Sequence, residues 1–181
     1  ELLVCVAAMR LGRPVKWVED RSEHFVATVH AREQTVRARA AFDARGTLLA
    51  LECHVRGDVG AHLHTKGAGP IFLGGVVLPG QYAVRHFRAR LEGVVTNKVP
   101  FGAYRGFGQP QAHVTVERVL DLIAERVGVD PVEVRRRTLL PDAPRPWIAS
   151  GGTRIDVGAL EPALDELLDV FDYAGWKKRR A

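Results

Sequence analysis

The order of apolar and polar residues predicts a chain that alternates between helices and strands. An apolar run that ends at a glycine predicts a helix over residues 1–11. The run Pro-Val-Lys-Trp-Val-Glu, residues 14–19, predicts a short buried strand. Alternating positions on both sides of an Asp-Ala-Arg-Gly turn predict a strand hairpin over residues 29–59. The glycine- and histidine-rich stretch of residues 57–80 predicts a long loop.

The second half of the chain carries stronger helical signals. Alternation predicts one more strand over residues 82–95, and apolar residues at helical spacing predict an amphipathic helix over residues 110–127. Asp130 followed by a proline is the start signal of the next helix. A leucine-rich face predicts a last helix over residues 161–171.

These elements predict an α+β fold with mixed, largely antiparallel strands and packed helices. The helical part spans residues 110–175, and no composition shift or linker marks a second domain within residues 1–181. A chain of this length buries roughly 70% of its unfolded surface. The sequence therefore predicts one unit with its own core.

The net charge of +5 raises the question of nucleic acid. Basic residues cluster at residues 135–137 and 177–180. A nucleic-acid groove combines such charge with aromatic side chains for stacking, whereas these two clusters are separate and mostly without aromatics. Solvated helix faces are the favoured interpretation, and no nucleic-acid partner is predicted.

Targeting signals and cysteine spacing bear on the cellular compartment of the protein. The apolar opening is too short to span a bilayer before Gly12 and Arg13, and it lacks the features of a signal peptide. Cys5 and Cys53 are too far apart for an iron–sulfur or zinc spacing, and both are expected to be small buried hydrophobes. A reducing cytoplasm is favoured, and the periplasm is left open.

Residues 96–111, TNKVPFGAYRGFGQPQ, form the most informative segment, which we call the Gly-rich loop. A strand that enters a glycine-rich loop and then a helix aims backbone N–H groups and the positive helix end at one point. Gly106 and Gly108 would let a ligand approach the backbone, and Arg105 adds a permanent cation. The alternative is a tight surface loop shaped only by turn chemistry.

Three segments together resemble one family. They are the Gly-rich loop, GRPVKWVEDRSE at residues 12–23 and AERVGVDPVEVRRR at residues 124–137. In this order and at about this spacing they resemble the molybdenum hydroxylases, which are the large subunits of xanthine dehydrogenases, aldehyde oxidases and their bacterial relatives. The resemblance covers roughly residues 1–140, and it implies that the chain is an internal fragment of a larger molybdopterin-binding domain.

The resemblance implies a molybdenum–molybdopterin cofactor, with the cytosine dinucleotide form as one option. The implied reaction is hydroxylation of an aldehyde or N-heterocycle with water as the oxygen source. Iron–sulfur clusters and FAD are then expected on other segments or subunits, in a dimer of multi-subunit units. A non-catalytic ligand- or nucleic-acid-binding module and a degenerate structural paralogue are the competing hypotheses.

The resemblance also implies roles for individual residues. Arg105 would contact the molybdenum centre through its main chain, Phe107 would stack on a flat substrate ring, and Leu73 would lie at a substrate position. An ion pair of Arg105 that holds the loop, and a core-anchoring role for Phe107, are the alternatives. The implied cofactor-binding residues are Gly102, Ala103, Tyr104, Arg105 and Gly106.

Three departures from the family pattern limit these roles. The family's general-base Glu is expected outside this chain, so no catalytic residue is assigned and the isolated chain is predicted to be inactive. Leu73 stands where purine-oxidising members carry an arginine, which argues against a xanthine-specific pocket. The residues after Tyr104 and Arg105 lack the cysteine of carbon monoxide dehydrogenases, which excludes the copper-bridged type.

Overall fold

The computed structural model describes residues 1–142 and 144–180 and confirms the α+β fold. The helices are α1 (Leu2–Leu11), α2 (Arg21–Ala27), α3 (Gly69–Val77), α4 (Gln109–Val127), α5 (Pro131–Thr138), α6 (Leu160–Val170) and α7 (Tyr173–Arg180). The strands are β1 (Gln34–Phe42), β2 (Leu48–Gly60), β3 (His86–Val95), β4 (Trp147–Ile148) and β5 (Arg154–Ile155). None of the described helices is both long and apolar enough to cross a membrane.

The main sheet has the order β1-β2-β3 and mixes two kinds of pairing. The predicted hairpin is present as the antiparallel pair of β1 and β2, whereas β2 and β3 run parallel. A parallel neighbour needs a crossover, and the segment that contains α3 provides it. Alternation within a strand does not reveal the direction of its neighbour, so the sequence did not specify this pairing.

The core lies where α4 packs against the sheet. Val116, Leu120 and Ile123 of α4 are buried together with Leu51 and Val55 of β2. Val116 and Leu120 have no exposed surface at all, because the helical spacing of these residues places them on the face that packs into the core. This packing holds the start of α4, and therefore the end of the Gly-rich loop, against the sheet.

Two predictions about the first sixty residues were wrong. Residues 14–19 are irregular rather than a buried strand, and Trp17 and Val18 are more than half exposed. Cys5 is exposed rather than buried, because α1 buries none of its side chains against the described residues. Cys53 is buried in β2, as predicted.

The predicted loop of residues 57–80 contains helix α3. Gly74 and Gly75 suppress the helical signal, yet both serve the packing of this helix. An added Cβ would lie 2.4 Å from Leu91 of β3 at Gly75 and 3.1 Å from the carbonyl oxygen of Gly108 at Gly74. Close packing of α3 on β3 and on the start of α4 therefore explains why glycines occur in this helix, although they weaken its helical signal in the sequence.

The first basic cluster is ion-paired and joins helices to one another. Arg135 bridges α5 to α4 through Glu117 at 2.8 Å and Asp121 at 2.9 Å. Arg136 bridges α5 to α6 through Glu161 and Asp165. These contacts give the first basic cluster a structural role, as expected for a helix face rather than a nucleic-acid groove.

Candidate functional site

The Gly-rich loop begins as an extended segment that is fixed on both sides. The N–H of Phe101 donates to the carbonyl of Val59 at 3.2 Å, at the end of β2. The N–H of His30 donates to Pro100 at 3.0 Å, and that of Gly102 donates to the carbonyl of His30 at 2.7 Å. Backbone bonds to two distant segments therefore hold residues 100–102 in place.

Asp58 ties the first residues of the loop to the end of β2. Its carboxylate accepts the Thr96 hydroxyl at 2.7 Å and the N–H of Gly60 at 2.8 Å, and it faces Lys98 at 3.3 Å. The hydrogen bond from Thr96, helped by that of Gly60 and by Lys98, lowers the pKa of Asp58. Lys98 also pairs with Glu33, so the cluster links the loop to the segment before β1.

The centre of the loop projects from this base. Ala103, Tyr104 and Arg105 are exposed, and the turn closes through two bonds, from the N–H of Phe107 to Tyr104 at 2.8 Å and from Gln109 to Gly106 at 2.9 Å. Within residues 1–142 and 144–180, the N–H groups of residues 103–106 donate to no acceptor. Four consecutive donors are therefore available to a ligand beside the N-terminus of α4.

Arg32 is a site residue that the sequence reasoning missed. Its guanidinium donates to the carbonyl of Arg105 at 2.6 Å and lies 4.8 Å from the centre of the Tyr104 ring. The carbonyl and the ring are thus held from one side, while the N–H groups stay free. The ion pair considered for Arg105 is not formed with any described carboxylate.

Phe107 and Gly108 connect the loop to α3. The half-buried ring of Phe107 lies over Gly69, where an added Cβ would be 2.4 Å from the ring. Phe107 has a φ of 44°, a conformation that few residues with side chains adopt. Leu73 is half-buried one turn further along α3. The structure thus brings the helix of Leu73 to Phe107, and the contact with Gly69 supports the anchoring alternative for this ring.

Gly108 has a different role from the one predicted. It is buried, and an added Cβ would lie 2.0 Å from the carbonyl oxygen of Pro70. The absent side chain therefore makes room for α3 and not for a ligand. Gly106, at a φ of 90°, has the tip of Pro110 within 2.8 Å of an added Cβ, so its conformation serves the turn into α4.

The class of protein follows from comparison with known families. Residues 1–139 match the family model of the molybdopterin cofactor-binding domain, and the chain belongs to this family. It is 35% identical to the gamma subunit of the 6-hydroxypseudooxynicotine dehydrogenase complex of Paenarthrobacter nicotinovorans, over 94% of this chain and 22% of that protein. It is 34% identical to the carbon monoxide dehydrogenase large chain of Hydrogenophaga pseudoflava, over 97% of this chain and 22% of that protein.

A solved structure shows the same fold. The crystal structure of quinoline 2-oxidoreductase from Pseudomonas putida 86 superposes with a TM-score of 0.90 at 33% identity, covering 98% of this chain and 23% of that one. The chain thus spans less than a quarter of the curated relatives described above. The resemblance to molybdenum hydroxylase large subunits that the sequence motifs indicated is confirmed.

The residues of the loop fit a molybdopterin cofactor. Molybdopterin carries a phosphate and several other hydrogen-bond acceptors, and residues 103–106 offer free N–H donors next to the positive end of α4. Arg105 adds a cation whose side chain is exposed beside them. In the described parts of the chain, no group of three His, Cys, Asp or Glu residues could hold a metal ion by itself.

Proposed function

We propose that this chain forms one wall of the cofactor site in the large subunit of a molybdenum hydroxylase, which oxidises an aldehyde or N-heterocycle with oxygen from water. The observation that carries the proposal is the row of free N–H donors over residues 103–106. Family membership supports the choice of molybdopterin as the ligand. The elements of residues 1–181 then form a segment of one larger molybdopterin-binding region.

The proposed work of the chain is to bind and orient. The main chain of Ala103, Tyr104 and Gly106 would hold the cofactor, with the main chain of Arg105 nearest the molybdenum. Gly102, whose N–H already donates to His30, would contribute its carbonyl alone. When bound, the cofactor supplies Lewis-acid and redox chemistry. Arg32 and Asp58 keep the donors in position, so that the N–H groups do not have to reorganise when charge develops on the ligand.

Phe107 and Leu73 are the proposed substrate contacts. An aromatic ring beside the cofactor can stack on a flat substrate, and Leu73 follows one helical turn after Gly69, the residue under the Phe107 ring. Relatives named nicotine 6-hydroxylase and quinoline 2-oxidoreductase favour an N-heterocycle as the substrate class. The absence of cysteine after Tyr104 and Arg105 separates the chain from the copper-bridged type despite its similarity to a carbon monoxide dehydrogenase.

The remaining components are proposed from the relatives. One relative is a subunit of a dehydrogenase complex, and others are large chains or subunits. Iron–sulfur and flavin subunits or domains would therefore accept the electrons, in a cytoplasmic dimer of such units. The cytosine dinucleotide is the proposed form of the pterin, and the general-base Glu would come from outside residues 1–181.

The test is cofactor content in the parent protein that contains this chain. We expect molybdenum and a pterin that fluoresces after oxidative release, at about one per large subunit. Arg32→Ala should lower both, because the carbonyl of Arg105 loses its donor and Tyr104 loses its stacking partner. Arg126→Ala, an exposed arginine in the last turn of α4, is the matched control and should retain both.

Two outcomes would overturn the proposal. If the wild-type protein contained neither molybdenum nor pterin, the cofactor assignment would be wrong. If the Arg32 and Arg126 variants lost them equally, the loop would have no specific part in binding the cofactor. Oxidation of aldehydes or N-heterocycles by residues 1–181 alone would contradict the expectation that the base lies elsewhere.

A further inference from the structure

The face of the main sheet opposite the core carries charged side chains. Side chains alternate along a strand, so Glu52 and His54 of β2 lie on this face, while Leu51 and Val55 are buried in the core. Residues 52–56 of β2 and their register partners contribute five arginines and only two glutamates to this surface, which we call the arginine face. The arginines are Arg37 and Arg39 on β1, Arg56 on β2, and Arg88 and Arg90 on β3, and the glutamates are Glu52 and Glu92.

One cross-strand row of the arginine face shows how two arginines hold a carboxylate. Arg39 of β1 and Arg88 of β3 are the register partners of Glu52 in β2. Oε2 of Glu52 lies 3.4 Å from Arg39, and Oε1 lies 3.8 Å from Arg88. Each carboxylate oxygen therefore has its own guanidinium. Arginines that start on the two outer strands can thus reach one oxyanion above the middle strand.

The next row along β2 has the same pair of arginines but no carboxylate between them. Arg37 and Arg90 are the register partners of His54. Nε2 of His54 lies 3.0 Å from Glu92, which also pairs with Arg56 at 2.9 Å. None of the described carboxylates lies within ion-pair distance of Arg37 or Arg90. Two exposed guanidiniums therefore flank a position that a carboxylate fills in the neighbouring row.

A depression of about 320 Å³ lies over these two rows. Arg37, Arg90 and His54 line it together with the three residues of the neighbouring row. His54 is fixed at its centre by Glu92, and the hydrogen bond from His54 lowers the pKa of Glu92, so the carboxylate that holds the ring is charged at neutral pH. A guanidinium keeps its charge and presents a fork of donors that matches carboxylate and phosphate oxygens. The chemistry of this depression therefore favours an anion with such oxygens.

We propose that Arg37 and Arg90 bind a small multivalent oxyanion, through a phosphate or carboxylate group that lies above His54. One guanidinium holds the group from each side, as Arg39 and Arg88 hold Glu52. The binding position is confined to one row, because the neighbouring arginines already have their carboxylate. None of the residues that bind the anion belongs to the Gly-rich loop, so the site does not depend on the proposed function.

The test titrates sodium pyrophosphate, and separately citrate, into the parent protein at low salt, with calorimetry as the readout. We expect saturable binding of at least one of them, and the tighter of the two identifies phosphate or carboxylate as the preferred group. Arg37→Gln combined with Arg90→Gln should weaken this binding by about tenfold or more, because the anion loses its charged hydrogen-bond donors. Arg10→Gln combined with Arg126→Gln removes the same charge from exposed arginines of α1 and α4, and should leave the binding unchanged.

The melting temperature provides a second readout. Sodium chloride of equal ionic strength is the reference, because it screens charges without filling the site. The anion that binds should raise the melting temperature of the wild type and of the Arg10 and Arg126 double variant, but not that of the Arg37 and Arg90 double variant. No saturable binding in the wild type, or equal binding by the two double variants, would overturn the proposal. Molybdenum and pterin are measured on the same samples, and a wild-type protein that binds the anion but lacks both would refute the cofactor proposal alone.

Discussion

Gly108 provides the sharpest test of how α3 and α4 position the Gly-rich loop. It precedes α4 with a φ of 96°, and an added Cβ would lie 2.0 Å from the carbonyl oxygen of Pro70. An ordinary nonbonded contact is about 3.5 Å, so Gly108→Ala would force α3 to retreat by roughly 1.5 Å. Gly128 closes the other end of α4 with a φ of 69° and nothing within 4 Å of an added Cβ. The two glycines therefore form a matched pair.

The expected difference follows from this geometry. A positive φ costs an alanine roughly 1–2 kcal/mol, and this cost applies to both variants. The overpacking against Pro70 adds roughly 1–3 kcal/mol to Gly108→Ala alone. We therefore expect Gly108→Ala to lower the free energy of unfolding by about 2–5 kcal/mol, and Gly128→Ala by only about 1–2 kcal/mol.

Urea unfolding followed by circular dichroism would measure both losses. Molybdenum content of the parent protein would show whether the displaced helix also disturbs the loop, and we expect it to fall only in the Gly108 variant. If the two variants lost equal stability, the close approach of Pro70 would not be what requires glycine at residue 108, and the reasoning would fail.

Three further predictions concern the supports of the site. Asp58→Asn should destabilise the protein near neutral pH, and the difference from wild type should shrink as the pH falls below about 4, because the lowered pKa of Asp58 stabilises the fold only while the carboxylate is charged. Iodoacetamide at pH 8 should label Cys5 quickly and Cys53 slowly, because burial raises the pKa of Cys53 to about 11. Phe107→Ala should lower the melting temperature by a few degrees through the lost packing on Gly69, as measured by calorimetry.

Each of these has a control. Asp156→Asn changes an exposed carboxylate whose ion pair is with Arg154, outside the loop, and should leave the pH dependence of unfolding as in wild type. Labelling in urea should make the two cysteines equally reactive, and equal rates in the folded protein would contradict the burial of Cys53. Phe107→Leu should recover part of the stability, and a raised KM with an unchanged melting temperature in Phe107→Ala would assign the ring to the substrate alone.

Much of the fold could be predicted because its signals are local. The spacing of Val116, Leu120 and Ile123 is set by the turn of one helix, and the hairpin is marked by its own Asp-Ala-Arg-Gly turn. Helix α3 could not be predicted in the same way. Gly74 and Gly75 lower its intrinsic helix propensity, and only the neighbours that they allow to approach compensate for this.

The same difference between local and long-range signals applies to the candidate site. The motifs of the Gly-rich loop and of the two other segments gave the family, and the loop residues assigned to the cofactor stay a prediction. The role of Arg32 could not be predicted, because it lies 73 residues from Arg105 in the chain and nothing in its local sequence indicates that contact. The glycines of the loop were visible in the sequence, but the sequence did not show that Gly106 serves the turn and that Gly108 makes room for α3.

The sequence by itself determined the family, the class of cofactor and the elements whose periodicity is internal to one helix or hairpin. The tertiary structure decided that β3 lies parallel to β2, that α3 packs on Gly108 and that Arg32 holds the carbonyl of Arg105. The physical reason is range. Propensity and side-chain periodicity act over a few neighbouring residues, whereas these three contacts join segments that only the folded chain brings together.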